Sequence, residues 1–230
     1  MPLAQAIDQT ALRERLVAAY AAGALEPALQ ILVEAQGAIL PESHRDRLLA
    51  EYAAGAMFES EEPVAMSADA LDQVFTRIDS GETNSSRAMK AVRAARAATQ
   101  LIDEVLALPS PVRDHALEAI GEGGWTFAGP GIRVLPLPCA GPSKLELLRI
   151  EPGWGAPRHT HKGGEYTLVL AGAFHDNRGI YRAGDIAVAG PGIVHRPTAE
   201  QGEICYSLAV TDAPLEFTGA LGFIQKLWRH

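Results

Sequence analysis

From Trp125 onward no helical period is sustained. Short β-prone runs, RVLPL, KLELLRI, YTLVLAGAF, GIYRAGDIAVA and EICYSLAV, are cut by Gly and Pro turns about every ten residues. Each such strand is long enough to bury one face and must then return beside a neighbour. The rhythm therefore predicts an antiparallel sandwich or barrel.

The first hundred residues have the opposite texture. Leu12, Leu16 and Tyr20, then Leu25, Leu29, Leu32 and Val33, recur at three- and four-residue spacing, which places them on one face of helices. Pro41, in LPES, opens a new helix and disfavours continuing the old one. Ser67 is the expected N-cap of a further amphipathic helix. The near-repeats LVAAYAAGAL and LLAEYAAGAM read as two helix ends, each closed by a glycine, Gly23 and Gly55. SGETNSS is a polar loop, and the Ala-rich run that follows predicts a helix with a basic stripe of Arg87, Lys90, Arg93 and Arg96. The expected organisation is a helical domain over 1–82, a helical linker over 83–124 and an all-β domain over 125–230.

Charge sharpens this division. Residues 1–82 hold 14 acids against five arginines, a balance of −9 within a net −8 for the chain. Such a surface argues against direct nucleic-acid binding and suits a basic protein partner. The two cysteines, Cys139 and Cys205, are too few for a disulfide framework and read as inert core residues. No apolar run reaches the length of a membrane span, and the start lacks a secretory signal pattern, so the expected setting is cytoplasmic.

The chemistry concentrates in RHTHKGGEYTLVLAGAF. Strand alternation puts His159 and His161 on one face, and Glu165 returns to that face after the KGG turn. Imidazole and carboxylate are good ligands for a borderline divalent metal. A fourth ligand is offered by His195, just after a Pro-Gly turn. The expected cofactor is one divalent ion held by His159, His161, Glu165 and His195, zinc first, with iron, manganese and nickel as alternatives.

With these residues in place the second half resembles the cupin superfamily. Gly153, His159, His161, Glu165 and Gly172 fit the first cupin motif at every gap, and Gly184, Gly192 and His195 fit the second. The proline of that second motif is displaced to Pro191 and its closing asparagine is Ala199. The resemblance implies a double-stranded β-helix, a jelly-roll barrel, with the histidines inside.

The whole order, acidic helical domain then cupin, resembles the ChrR-type anti-sigma factors, carried by LVAAYAAGAL, EEPVAMS, HTHKGGEYTLVLAGAF, YRAGD and TDAPLEF. The resemblance implies an extracytoplasmic-function sigma factor as partner of the N-terminal domain and a cupin that senses stress. It also implies a zinc motif in the helical domain, whose positions here are Gln36, Leu40 and Ser43. An amide, a hydrocarbon and a hydroxyl make no good zinc site, so a zinc-free helical domain filled by apolar packing is expected. No catalytic residue is assigned. A metal-dependent cupin enzyme of dioxygenase or isomerase type, with a helical dimerisation domain, is the alternative reading. A passive small-ligand module is a third, and a homodimer is left open.

Overall fold

The computed structural model describes residues 8–59, 61–80, 99–213 and 215–217. Helices come first: α1 (Gln9–Ala21), α2 (Pro27–Ile39), α3 (Pro41–Phe58), α4 (Ala70–Ser80), α5 (Thr99–Leu106) and α6 (Val112–Glu122). Strands follow: β1 (Thr126–Gly129), β2 (Ile132–Leu137), β3 (Lys144–Ile150), β4 (His159–His161), β5 (Glu165–Ala171), β6 (Ala173–Asp176), β7 (Gly179–Arg182), β8 (Ile186–Ala189), β9 (Thr198–Ala199), β10 (Cys205–Thr211) and β11 (Leu215–Phe217). This is the expected α+β order, helices and then an antiparallel barrel. The basic stripe from Arg87 to Arg96 and most of the SGETNSS loop lie outside the described residues.

Local chemistry sets the helix ends. The Asp8 carboxylate accepts from the backbone N–H of Thr10 and Ala11 at 3.0 and 3.1 Å, satisfying two donors that the first turn of α1 cannot. Gly23, at φ 65°, closes the same helix in the left-handed region. Proline opens both α2 and α3 at their first positions. Pro41 also holds the preceding Leu40 in extended conformation (φ −109°, ψ 111°), so a single residue makes the corner between α2 and α3.

Two helix expectations need correction. Gly55 does not close a helix; it lies inside α3, which runs on to Phe58. The two YAAGA segments part company because Pro27 follows the first within four residues and starts a new helix, whereas no proline follows the second before Pro63. The fourth helix begins at Ala70 rather than directly after Ser67. Asp69 accepts from the Gln73 and Ser67 side chains, which hold its carboxyl below the usual range.

The main sheet has the order β1-β2-β3-β10-β5-β8, and the opposing wall is made by β7-β6-β9 and β11-β4. Alternation gives each central strand two different faces. Leu145 and Leu147 of β3, Leu168 and Leu170 of β5 and Leu208 and Val210 of β10 turn outward to meet the helices. There they join Leu12 and Leu16 of α1, Leu32 and Val33 of α2, and Val112 and Ala116 of α6 in one continuous apolar core. A fully buried leucine such as Leu32 contributes roughly 1.5–3 kcal/mol on leaving water, so this core fastens helices and barrel together.

Polar contacts fix the register of that docking. The Gln9 amide donates to the Ile186 carbonyl at 3.0 Å and accepts from the Ile186 N–H at 2.9 Å, pairing backbone groups of the edge strand β8. Ser143 donates to Glu26 at 2.5 Å. On the other side, Arg149 of β3 donates to Glu104 of α5 at 2.7 and 3.2 Å, and Tyr206 also donates to Glu104. Arg149 and Tyr206 thus anchor α5 and do not face the barrel interior.

The two cysteines differ. Cys205 is buried in β10, and burial pushes its thiol up to about 11. Cys139 lies beyond the end of β2, half-buried and packed against the core that joins helices and barrel.

Candidate metal centre

His159, His161, Glu165 and His195 converge, each offering one ligand atom, with all four atoms within 4.8 Å of one another. His159 and His161 share a face because β4 is extended, and β4 keeps that shape by pairing with β11: His161 opposite Leu215 and His159 opposite Phe217. His195 is brought across by its backbone. Its N–H and C=O exchange two 3.0 Å hydrogen bonds with those of His159, a closely bonded antiparallel pair. Glu165 opens β5 after the Gly163–Gly164 turn, where the Gly164 N–H donates to Asp212 at 2.7 Å. A side chain at Gly163 would meet the Asp212 carboxylate at 1.7 Å, which accounts for the glycine there.

The tautomers follow from the partners. His159 Nδ1 sits 2.7 Å from the Pro157 carbonyl oxygen, which only accepts, so Nδ1 carries the proton. His195 Nδ1 lies 3.3 Å from the Asp176 carboxylate and donates in the same way. Both Nε2 atoms are then bare lone pairs, yet they face each other at 3.0 Å. His161 Nε2 stands 3.0 Å from His195 Nε2 and 3.0 Å from a Glu165 oxygen. Lone pairs this close repel unless a cation lies between them. Ligands about 2.0–2.1 Å from a tetrahedral ion are about 3.3 Å apart, close to the spacing here. The donor set therefore fits a borderline divalent metal.

Electrostatics support the same reading. Burial pushes the His159 and His161 imidazoles below their ordinary value, with neighbouring histidines acting in the same direction, so both stay neutral and ready to ligate. Asp176 is fully buried at its side chain. Burial opposes its ionisation, but hydrogen bonds from His195 and Arg178 outweigh this and hold its carboxyl at about 2. Arg178 is itself fixed by donating to Asp176 at 2.8 and 3.0 Å and to the Val188 carbonyl.

Sequence reasoning missed two supports. Asp176 orients His195, and Thr167 donates to Glu165 at 2.6 Å. Thr167 was findable, since it lies two residues along the same strand face. Asp176 was not, because 19 residues and a sheet crossing separate it from His195. Of the other histidines weighed, His175 is exposed and bonded to Glu200 at 2.6 Å, outside the cluster.

The helical side carries no second cluster among the described residues. Gln36 and Ser43 are buried, with Ser43 donating to Gln36 at 3.3 Å, and Gln36 donates to the Gly184 carbonyl at 2.8 Å. Leu40 packs on Gly184, whose φ is 92° and where a Cβ would come within 2.7 Å of the leucine. The three positions serve as a docking point for the turn before β8. The expected apolar filling is thus half right: a hydrogen-bonded amide and hydroxyl share the space with Leu40.

Comparison with known proteins identifies the family. The ChrR Cupin-like domain family matches residues 115–213. The chain is 33% identical over 214 residues to the anti-sigma-E factor ChrR of Cereibacter sphaeroides, covering 93% of both chains. It is also similar to the crystal structure of Rhodobacter sphaeroides SigE in complex with the anti-sigma ChrR, at 32% identity and a TM-score of 0.64, covering 86% of this chain and 96% of that one.

Proposed function

The chain belongs to the ChrR family of anti-sigma factors, and on that premise we propose that it is a cytoplasmic regulator that sequesters an extracytoplasmic-function sigma factor. Residues 1–82 form the sequestering part, and the barrel is the stress sensor. His159, His161, Glu165 and His195 hold one divalent ion there, zinc first. A bound ion would supply Lewis acidity and hold the four side chains, and with them β4, β5 and the β8–β9 connection, in one arrangement.

The observation that carries the reading is an exposed apolar face on the helical part. Leu48, Leu49 and Tyr52 recur at helical spacing along α3, and Leu71, Val74 and Phe75 do so along α4. Tyr52 is 80% exposed, Phe58 74% and Val64, in the connection between the helices, 88%. So many large apolar side chains left in solvent along two successive helices mark a protein-binding site. The surrounding acids complement a partner whose DNA-contacting surface is basic. They act chiefly on association rate and salt sensitivity. No helix among the described residues is long and apolar enough to cross a membrane.

The test is capture of the sigma factor of the native cell by the full-length chain. Tyr52→Glu and Phe58→Glu are expected to abolish capture while leaving the melting temperature unchanged, because both side chains lie in solvent. Equal capture by these variants and the parent chain would overturn the assignment of this face. Absence of any sigma factor in the complex would overturn the function.

A further inference from the structure

The barrel interior is layered. Strand register places Lys144, Thr211, Glu165 and Ala189 in one row across the sheet. The next inward-facing row is Glu146, Ala209, Thr167 and Ala187. Then comes a mainly apolar row of Val134, Leu148 and Ser207, and last Ile132, Ile150 and Cys205. Charged and metal-ligating groups thus occupy one end of the interior and branched hydrocarbon the other.

The interior is also open. A cavity of about 430 Å³ runs through these rows, bounded at its polar end by His159, His195 and Glu165. Its width comes from small inward-facing side chains. Ala187, Ala189 and Ala209 line it, while their sequence neighbours Ile186, Leu208 and Val210 turn outward into the helix-covered core. A barrel built only for stability would fill such a space with large side chains. A cavity of this size with an apolar wall and a few convergent polar groups has the form of a small-molecule site.

Charge selects the head group. Lys144 stands two residues from Glu146 on one strand face, where its charge favours the ionised carboxylate against the effect of burial, and Arg178 pairs with Asp176 at 2.8 Å. A divalent ion on three neutral imidazoles and the Glu165 carboxylate leaves one positive charge. The complement is a single anionic oxygen group, and the far rows offer an apolar slot for what is attached to it.

We propose that the barrel interior binds small amphiphilic monocarboxylic acids, the carboxylate at the His159, Glu165 and His195 end and the hydrocarbon tail against Val134, Leu148, Ile132 and Ile150. This deepens the sensor reading of the barrel and rests on the metal site given above. Occupancy by such an acid is the chemical input that the barrel receives.

The test uses the full-length chain loaded with cobalt(II), whose visible spectrum reports both metal binding and any change in its ligands. Straight-chain monocarboxylates of increasing length are titrated, with alkylamines and alcohols of matched length as controls. The acids are expected to shift the spectrum, with affinity rising roughly fourfold per methylene until the cavity is filled, while the controls leave it unchanged. Ala209→Leu is expected to retain the cobalt spectrum and lose the longer acids. Lys144→Glu, at an exposed position, should weaken all acids alike. No spectral shift with any acid, no dependence on length, or equal response to amines overturns the proposal. A chain that takes up no cobalt overturns the metal reading instead, and a failure of sigma-factor capture bears on neither result. If Ala209→Leu does not fold, the length series on the parent chain decides.

Discussion

Gln36 Nε2 donates a 2.8 Å hydrogen bond to the carbonyl oxygen of Gly184, joining α2 to the turn before β8 across 148 residues of chain. In the zinc-bearing pattern that this family resemblance implies, position 36 would be a metal ligand. Here it ties the helices to the barrel, and it does so two residues from Ile186, where Gln9 makes a second amide clasp. The strand so held, β8, leads directly into His195. Helices and candidate metal centre are therefore joined by one short run of chain.

Removing this bond is expected to be costly. Gln36→Ala leaves the Gly184 carbonyl and the Ser43 hydroxyl short of a partner in a buried place, a loss of about 1–3 kcal/mol. Denaturant unfolding of the full chain measures it. Gln36→Glu should be worse than alanine, since a carboxylate would face the carbonyl oxygen. A Gln36→Ala variant as stable as the parent would show that the clasp contributes nothing.

Gly184→Ala tests the same contact from the barrel side. The position needs left-handed backbone at φ 92°, and the added methyl would press on Leu40 at 2.7 Å. The expected destabilisation is about 1–3 kcal/mol, with metal content retained. Because Leu40 is a flexible side chain, Leu40→Ala in the same background should recover part of the loss.

Metal analysis of the purified chain should find close to one divalent ion. His195→Ala is expected to empty the site in dialysis against a mild chelator. Asp176→Asn keeps the shape but removes the charge that fixes the His195 tautomer, and should weaken affinity roughly 10–100-fold. Two ions per chain would mean that the helical part holds metal, and unchanged affinity in Asp176→Asn would remove that residue from the site.

The metal-free protein should be acid-sensitive. His159 and His161 have folded values below the ordinary 6.5, so the unfolded chain takes up protons first as pH falls. Their contribution is fully present above about pH 6.5 and is lost as pH drops through the lower folded values. Asp176 adds a second, more acidic window between 3.8 and about 2. Thermal melts of chelator-treated protein at falling pH check this. A melting temperature that rises below pH 6.5 would reverse the sign and refute it.

Much of the candidate site was legible because its parts are local. His159, His161 and Glu165 lie within one strand–turn–strand, and period-two alternation fixes which way they point. The glycines of both motif halves, Gly153, Gly172, Gly184 and Gly192, all take positive φ, so each marks a bend that no side chain would favour. His195 was readable only as an isolated histidine after a turn. Its reach to His159 depends on a backbone pairing 36 residues apart.

The sequence by itself determined where helices give way to strands and that His159, His161 and Glu165 share one face. Those features follow from periodicity, turn residues and donor type, all of which act over a few residues. The tertiary structure alone decided that Asp176 backs His195, and that Gln36, Leu40 and Ser43 dock on the turn at Gly184. These depend on which distant surfaces meet. That meeting is set by the shared burial of Leu32, Leu147 and Leu208, and hydrophobic burial has no direction along the chain from which partners can be read.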